Sequence, residues 1–284
     1  MTPYNEKPKR LLQQLLLDQS GNPGLASYCA GFELQIWRCD GFADHLMEWI
    51  ADYALREDEL NVHHGNMYVR LKEAAARVYN SKNYKSRGEI GEIILHAICR
   101  EYFNTIPFAP RVFYLTSSND VVKSFDMVHV RYLAERAFEL WLGEAKFYKN
   151  GQEAIQAAID SVTAHIQQGF LKNEKLLLGP QVSKSIPLHQ EIRDLLSTQT
   201  SLDELFKTAV FPVCIACDSI AAATGKEFSQ AYVDSIKKEF QELTGKIMKS
   251  DLIQKIKVLL IYVPLASKQK LAQAFDMRLK GVSS

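Results

Sequence analysis

"FELWLGEAKFY", residues 138–148, is the stretch on which the reading of this chain turns. Side chains on a strand alternate between faces, so Glu144 and Lys146 share one, about 6–7 Å apart along the chain. Leu140, Leu142 and Tyr148 lie on that same face, while Trp141, Gly143, Ala145 and Phe147 line the other. A strand that is apolar on both faces is a covered, central one. Two opposite charges inside it need a reason, because buried carboxylates are costly unless paired, hydrogen-bonded or bound to a cation.

Working outward, two further strands are expected just upstream, "RVFYLT" (111–116) and "SFDMVHVRYL" (124–133), with "SSND" and "AER" as the turns. Asp126 shares a face with Val128 and Val130. An antiparallel hairpin between its strand and the next brings Asp126 and Glu144 within reach of one metal ion. Before these strands, "EIGEIILHAICREYF" (89–103) is a helix apolar nearly all round, hence buried. Glu92 sits in it among Ile90, Ile93, Ile94, Leu95 and Ile98, and Gly91 lets the helix approach the sheet closely. Downstream come a helix at about 152–168, a strand at 208–218, a helix at 226–243, a strand at 255–265 and a closing helix, "SKQKLAQAFDMRL". This order predicts an α/β fold, a mixed central sheet flanked by helices.

Residues 1–85 read as a mainly helical N-terminal region, a possible docking surface for a partner. It has helices at 43–55 and 67–81 and a candidate strand "FELQIW" at 32–37. The polar, basic "NSKNYKSRG" (80–88) reads as a junction, leaving 86–284 as the main domain.

Composition excludes several classes. The 284 residues carry 34 Lys and Arg against 33 Asp and Glu, a formal net charge of +1. A protein that grips nucleic acid unaided usually has a basic excess, so a DNA-handling role here calls for local charge or a partner. No apolar run reaches membrane-spanning length, and the start of the chain does not read as a secretory signal. Five cysteines at irregular spacing are no disulfide framework, which points to a reducing cytoplasm.

Asp126 and Glu144 offer hard oxygen ligands of the kind Mg²⁺ takes, with Mn²⁺ as a substitute. Lys146 on the same face could orient an attacking water or offset charge on a phosphate. The pieces "RGEIGEIILHA", "SFDMVHV" and "GEAKFY" resemble the PD-(D/E)XK restriction-endonuclease-like core: a helix glutamate, an Asp on a strand, then Glu-x-Lys on the next. More narrowly, the whole chain resembles the HamA family, nuclease subunits of the bacterial Hachiman anti-phage system. "HLMEWIADYALREDE" and "RLKEAAARVYNSKNYKSRGEIGE" contribute to that likeness. The resemblance implies a metal-dependent DNase that works beside a superfamily-2 helicase, HamB. It also implies Asp126 and Glu144 as metal ligands, Lys146 as the lysine that assists nucleophile placement, and Glu92 as the helix acid and a further ligand. Glu89, one turn earlier, is a second candidate for that acid. Phe125 stands where the family often has proline.

Other signals have plainer readings. "CIAC" (Cys214, Cys217) lies in an apolar strand with no second pair to complete a zinc site, so it is core packing. His63 and His64 read as a solvated loop. "AATGKEF" (222–228) lacks the leading glycine and final hydroxyl of a phosphate loop and is a coincidence at a helix start, so any motor activity must come from another chain. Lys82, Lys85 and Arg87, with Lys149, are candidate contacts to a DNA backbone, although such a cluster is more often a wet linker. His129 faces away from Asp126 and gets no catalytic role. His96, one turn past Glu92, is close enough to touch the site.

Overall fold

The computed structural model describes residues 3–78, 88–108, 125–133 and 137–283. The chain opens with β1 (Gln13–Asp18), β2 (Gly24–Cys29) and a short hairpin of β3 (Phe32–Glu33) and β4 (Ile36–Trp37). Helices α1 (Cys39–Ala54), α2 (Met67–Val78) and α3 (Glu89–Phe103) follow, then β5 (Ile106–Pro107), β6 (Met127–Tyr132) and β7 (Phe138–Tyr148). Next come α4 (Gly151–His165), α5 (Gln168–Leu178), α6 (His189–Leu195), α7 (Leu202–Thr208) and β8 (Ala209–Asp218). The remainder is α8 (Ile220–Thr224), α9 (Gln230–Ile247), α10 (Leu252–Lys255), β9 (Lys257–Leu265) and α11 (Lys268–Ser283).

Seven strands form one sheet in the order β1-β2-β9-β8-β7-β6-β5. The middle strands β7, β8, β9 and β2 run parallel, and β6 and β1 are antiparallel to their neighbours. Parallel neighbours need crossovers, and α4 supplies the first part of one. Its start is fixed by Asn150, whose side chain accepts from the backbone N–H of Gln152 and Glu153 two residues after β7 ends. Both faces of the sheet are covered. Residues of α1, α2, α3 and α11 pack on the face bearing Met127, Trp141, Ala145 and Phe147. Residues of α4, α9 and the segments between α4 and β8 pack on the face bearing Val128, Val130, Leu140 and Leu142. The mixed sheet flanked by helices is the architecture the sequence predicts, and it is compatible with a nuclease-like core.

Several elements differ from the sequence expectation. β1 and β2 are not expected, yet β2 pairs with β9 and carries β1 at the sheet edge. The expected division at residues 85/86 therefore has one sheet running across it. "FELQIW" is not one strand: Leu34 and Gln35 both have positive φ, 48° and 64°, and fold β4 back on β3. The helix expected at 226–243 begins at Gln230, where the Ser229 side chain caps it, and runs to Ile247. Gly225 in "AATGKEF" closes α8 rather than opening a helix. The strand expected at 111–116, its turns at 117–120 and 134–136, the end of the 67–81 helix, and Lys82, Lys85 and Arg87 lie outside the described residues.

Candidate active site

Strand register builds the site. Met127 pairs with Gly143, Val128 with Leu142 and Val130 with Leu140. The last rung is the Asp126 N–H donating to the Gly143 carbonyl at 2.9 Å. Past this bond lie Asp126 and Glu144, whose charges both act on the Lys146 ammonium. The next N–H of β7 on this side, that of Ala145, has no β6 group among the described residues and donates instead to Asp126 Oδ2 at 2.8 Å. Among the described residues β7 runs on past β6, and Asp126, Glu144 and Lys146 lie at this end of the pair.

Asp126 and Glu144 are buried, the latter only 2% exposed. Lys146 Nζ lies 2.5 Å from Glu144 Oε1. Burial works to lower the Lys146 pKa, but the Glu144 charge and hydrogen bond, with Asp126 behind them, outweigh it and hold the pKa above the ordinary lysine value. The second Glu144 oxygen, Oε2, accepts no hydrogen bond among the described residues, although His165 Nδ1 lies 3.4 Å away within ion-pair range. His165 ends α4 and is clamped between the stacked ring of Phe170 and the edge of Phe125, with centroids at 4.5 and 4.9 Å.

Glu92 comes from the other layer. The first turn of α3 sits over Ala145 and Phe147: a Cβ on Gly91 would meet Phe147 Cβ at 3.1 Å and Ala145 Cβ at 3.6 Å. A side chain at Gly91 would press on Phe147, so glycine favours this close seat of the first turn of α3, which carries Glu92, on the Ala145–Phe147 face of β7. Glu92 is buried, and its Oε2 accepts from the Tyr53 hydroxyl at 2.5 Å. Glu89 is also in the first turn of α3 and is half-buried.

His96 does not touch the acids. Thr105 Oγ1, His129 Nδ1 and Nε2, His96 Nδ1 and Nε2, and Asp52 Oδ1 form a chain with contacts of 2.7, 3.1 and 2.7 Å. With both imidazoles neutral, each contact has one donor and one acceptor, running from the Thr105 hydroxyl to the Asp52 carboxylate. Burial holds His96 below the ordinary imidazole range despite Asp52, and holds His129 well below it. Asp52 is gripped on its other side by Arg100, with Nε and Nη2 each at 2.9 Å. His129 therefore has a structural place, on the face away from Asp126 as its strand parity predicts.

Among the described residues, no three His, Cys, Asp or Glu side chains gather as a metal cage. A closed zinc site is not what this arrangement offers. The buried carboxylates Asp126 and Glu144, the latter with an Oε2 that accepts no hydrogen bond among the described residues, suit Mg²⁺, which binds through one or two carboxylates and keeps several waters. Lys149 is exposed just past β7. It is joined by Lys268 at the start of α11, whose Nζ lies 5.0 Å from the Phe147 ring centre. Burial, with Lys149 adding to it, lowers the Lys268 pKa against the pull of Asp218.

Sequence reasoning missed Tyr53, His165 and Lys268. Each reads alone as an ordinary helix residue, and only docking reveals its neighbour. The expected core reading of Cys214 and Cys217 holds, both being buried and on opposite faces of β8. His63 and His64 are exposed.

A helix-flanked mixed sheet with two buried acids and a lysine near a strand end defines the class: an α/β protein whose architecture is compatible with a nuclease-like core. More particularly, the HamA family matches residues 7–279, and the chain belongs to it. Membership gives the protein a role in the Hachiman antiviral defence system. No curated protein matches the sequence. No helix among the described residues is long and apolar enough to cross a membrane.

Proposed function

We propose that this protein is a metal-dependent DNA nuclease, the effector of a two-component antiviral system activated through a helicase partner, the superfamily-2 helicase HamB. The observation that supports the reading is the ion pair of Lys146 with the buried Glu144, Nζ 2.5 Å from Oε1, with the charge of the buried Asp126 acting on the same ammonium. Packing alone does not call for such groups there, because replacing a buried ion pair with apolar side chains is often neutral or stabilising.

In this reading Asp126 and Glu144 hold Mg²⁺, with Mn²⁺ as a substitute, and Glu92 adds a ligand from the other face. Bound there, the metal would supply Lewis acidity toward the scissile phosphate and a coordinated water acidified enough to attack. Lys146, held charged by Glu144, orients that water and offsets the charge that builds on the phosphate. Lys149, Lys268 and the basic residues at the 80–88 junction contact the DNA backbone. The net charge of +1 supports weak DNA affinity for the chain alone, so the helicase delivers the DNA.

The test is plasmid degradation with Mg²⁺, the partner and ATP, together with phage protection in cells. Asp126→Ala and Lys146→Ala should each abolish both. Full protection by the doubly substituted protein defeats the reading, and rapid cutting of duplex DNA by the isolated chain at physiological salt defeats the restraint by the partner.

A second reading is a catalytically silent nuclease-fold module that binds and regulates the helicase. It is favoured by one observation: Asp126 already serves the Ala145 N–H and Glu144 already serves Lys146. Calorimetric titration with Mn²⁺ separates the two, since a silent module would bind the metal no better than its Asp126→Ala variant.

A further inference from the structure

β7 does not stop at the charged pair. On the face of Glu144 it carries Lys146 and then, as its last residue, Tyr148, each about 6–7 Å beyond the one before. Their partners on β8 are Val213, Ile215 and Cys217, all packed in the core on that face. Exposure rises along the row: Glu144 is 2% exposed, Lys146 is partly buried and Tyr148 is 37% exposed. The row thus runs from the buried acid out to solvent, with an aromatic ring at its mouth. Burial, the largest influence on the Lys146 ammonium, is opposed by Glu144, by Asp126 and then by Tyr148, so the phenol is near the lysine. Cations stand beside the ring. Lys149 follows it in the chain and is exposed, and Lys268 Nζ lies 5.0 Å from the centre of the adjoining Phe147 ring. Asp218 and Lys149 both act on Lys268, and Asp218 Oδ1 accepts the Lys268 backbone N–H.

We propose that Tyr148 is a stacking platform for an unpaired nucleobase, with the phosphates of the same strand on Lys149 and Lys268, and that the site therefore takes single-stranded DNA. The proposal rests on reading Glu144 and Lys146 as part of a cleavage site. Sites for single strands combine cations that track the backbone with aromatic rings on which bases stack, and they tolerate any sequence because every base has a π-face. Bases inside a duplex have both faces covered by their neighbours, so a ring fixed at a strand end meets them only after the duplex is opened. Opening is the work of the helicase proposed as partner. A partly exposed tyrosine is ordinary on a protein surface. This one stands two residues from the lysine assigned to the scissile phosphate, with two ammonium groups beside it that complement a phosphate backbone.

Full-length wild type, Tyr148→Leu, Tyr148→Phe and Lys149→Ala are titrated into a short fluorescein-labelled oligothymidine and into a blunt hairpin duplex, with a metal chelator present and at several low salt concentrations, and binding is read by anisotropy. Wild type should bind the oligothymidine more tightly than the duplex. Tyr148→Leu keeps apolar bulk on the buried side of the ring. It should weaken oligothymidine binding about 5- to 150-fold and leave the duplex unaffected, while Tyr148→Phe keeps the π-face and binds as wild type does. The slope of log affinity against log salt should hold in both tyrosine variants and flatten by about 0.7 in Lys149→Ala, the loss of one phosphate contact to a single strand. Wild-type oligothymidine affinity in Tyr148→Leu overturns the proposal. So does an equal loss on both substrates, a wild type that does not prefer the single strand, or an unchanged slope in Lys149→Ala. None of these titrations involves metal, so they stand apart from the reading of the acids, which falls on a separate result: plasmid degradation by Asp126→Ala at the wild-type rate.

Discussion

Asp126 is asked to serve both the ladder and a cation, and two substitutions separate these roles. Its Oδ2 takes the Ala145 N–H at 2.8 Å where β6 stops, and both residues are buried. Replacing it with Ala leaves that N–H with no acceptor, which costs about 1–3 kcal/mol, or roughly 5- to 150-fold in the folding equilibrium. Asn keeps an oxygen of the same reach and loses the charge. Its penalty is the difference between a charge-assisted and a neutral hydrogen bond, about 1 kcal/mol. The stability order by urea unfolding is therefore wild type, then Asn, then Ala, at constant slope because the folded surface is unchanged. Cleavage follows a different order. Both variants should be inactive, since an amide neither bears the charge a hard cation seeks nor accepts as strongly. The divergence of the two orders is the informative result. Plasmid cleavage and phage protection by Asp126→Asn at wild-type levels would falsify the catalytic role and leave the carboxylate as a ladder cap.

Gly143 touches Leu95 closely, and a Cβ there would fall 2.8 Å from Leu95 Cδ2 and 3.1 Å from Met127 Cβ. Gly143→Ala should lower stability by about 1–3 kcal/mol through overpacking, and an unchanged urea midpoint would contradict this packing of α3 on the sheet. The buried pair His96 and His129 has pKa values held below the ordinary 6.5 by burial, so the unfolded chain binds more protons than the native one just below that pH. Stability should be complete above pH 6.5 and fall as pH drops below it, ahead of the carboxylate window; a flat urea midpoint from pH 6.5 to 5 counts against the neutral chain. Of the five cysteines, only Cys39 is partly exposed, and burial with the neighbouring Asp40 pushes its thiol up to about 11. A thiol reagent under native conditions should modify one cysteine slowly and all five in urea, read by mass spectrometry, with rapid labelling of Cys99 or Cys214 as the contrary result.

What could be read from the sequence follows a physical divide. β7, β8 and β9 are legible because strands covered on both faces are written as apolar runs. The pairing of β6 with β7 is legible because a period of two and a short hairpin leave few registers, and only one puts Val128 and Val130 against Leu142 and Leu140. β1 and β2 are not, because "QQLLLD" is a half-exposed edge and "GLASYC" is mostly small residues, strand only by virtue of pairing with β9. Glu92 stands out as a charge in an apolar helix, but its partner does not: Tyr53 is 39 residues away on a helix where a tyrosine is unremarkable core. The same holds for His165 and Glu144, which meet only because α4 returns across β7. Within a hairpin, arithmetic on residue numbers fixes neighbours. Between helices, contact depends on docking depth and rotation set by many small side chains at once, Gly91 among them, and no local pattern records that sum. A charged residue inside an apolar element therefore announces that it has a partner, while the partner's identity is written only in the packing.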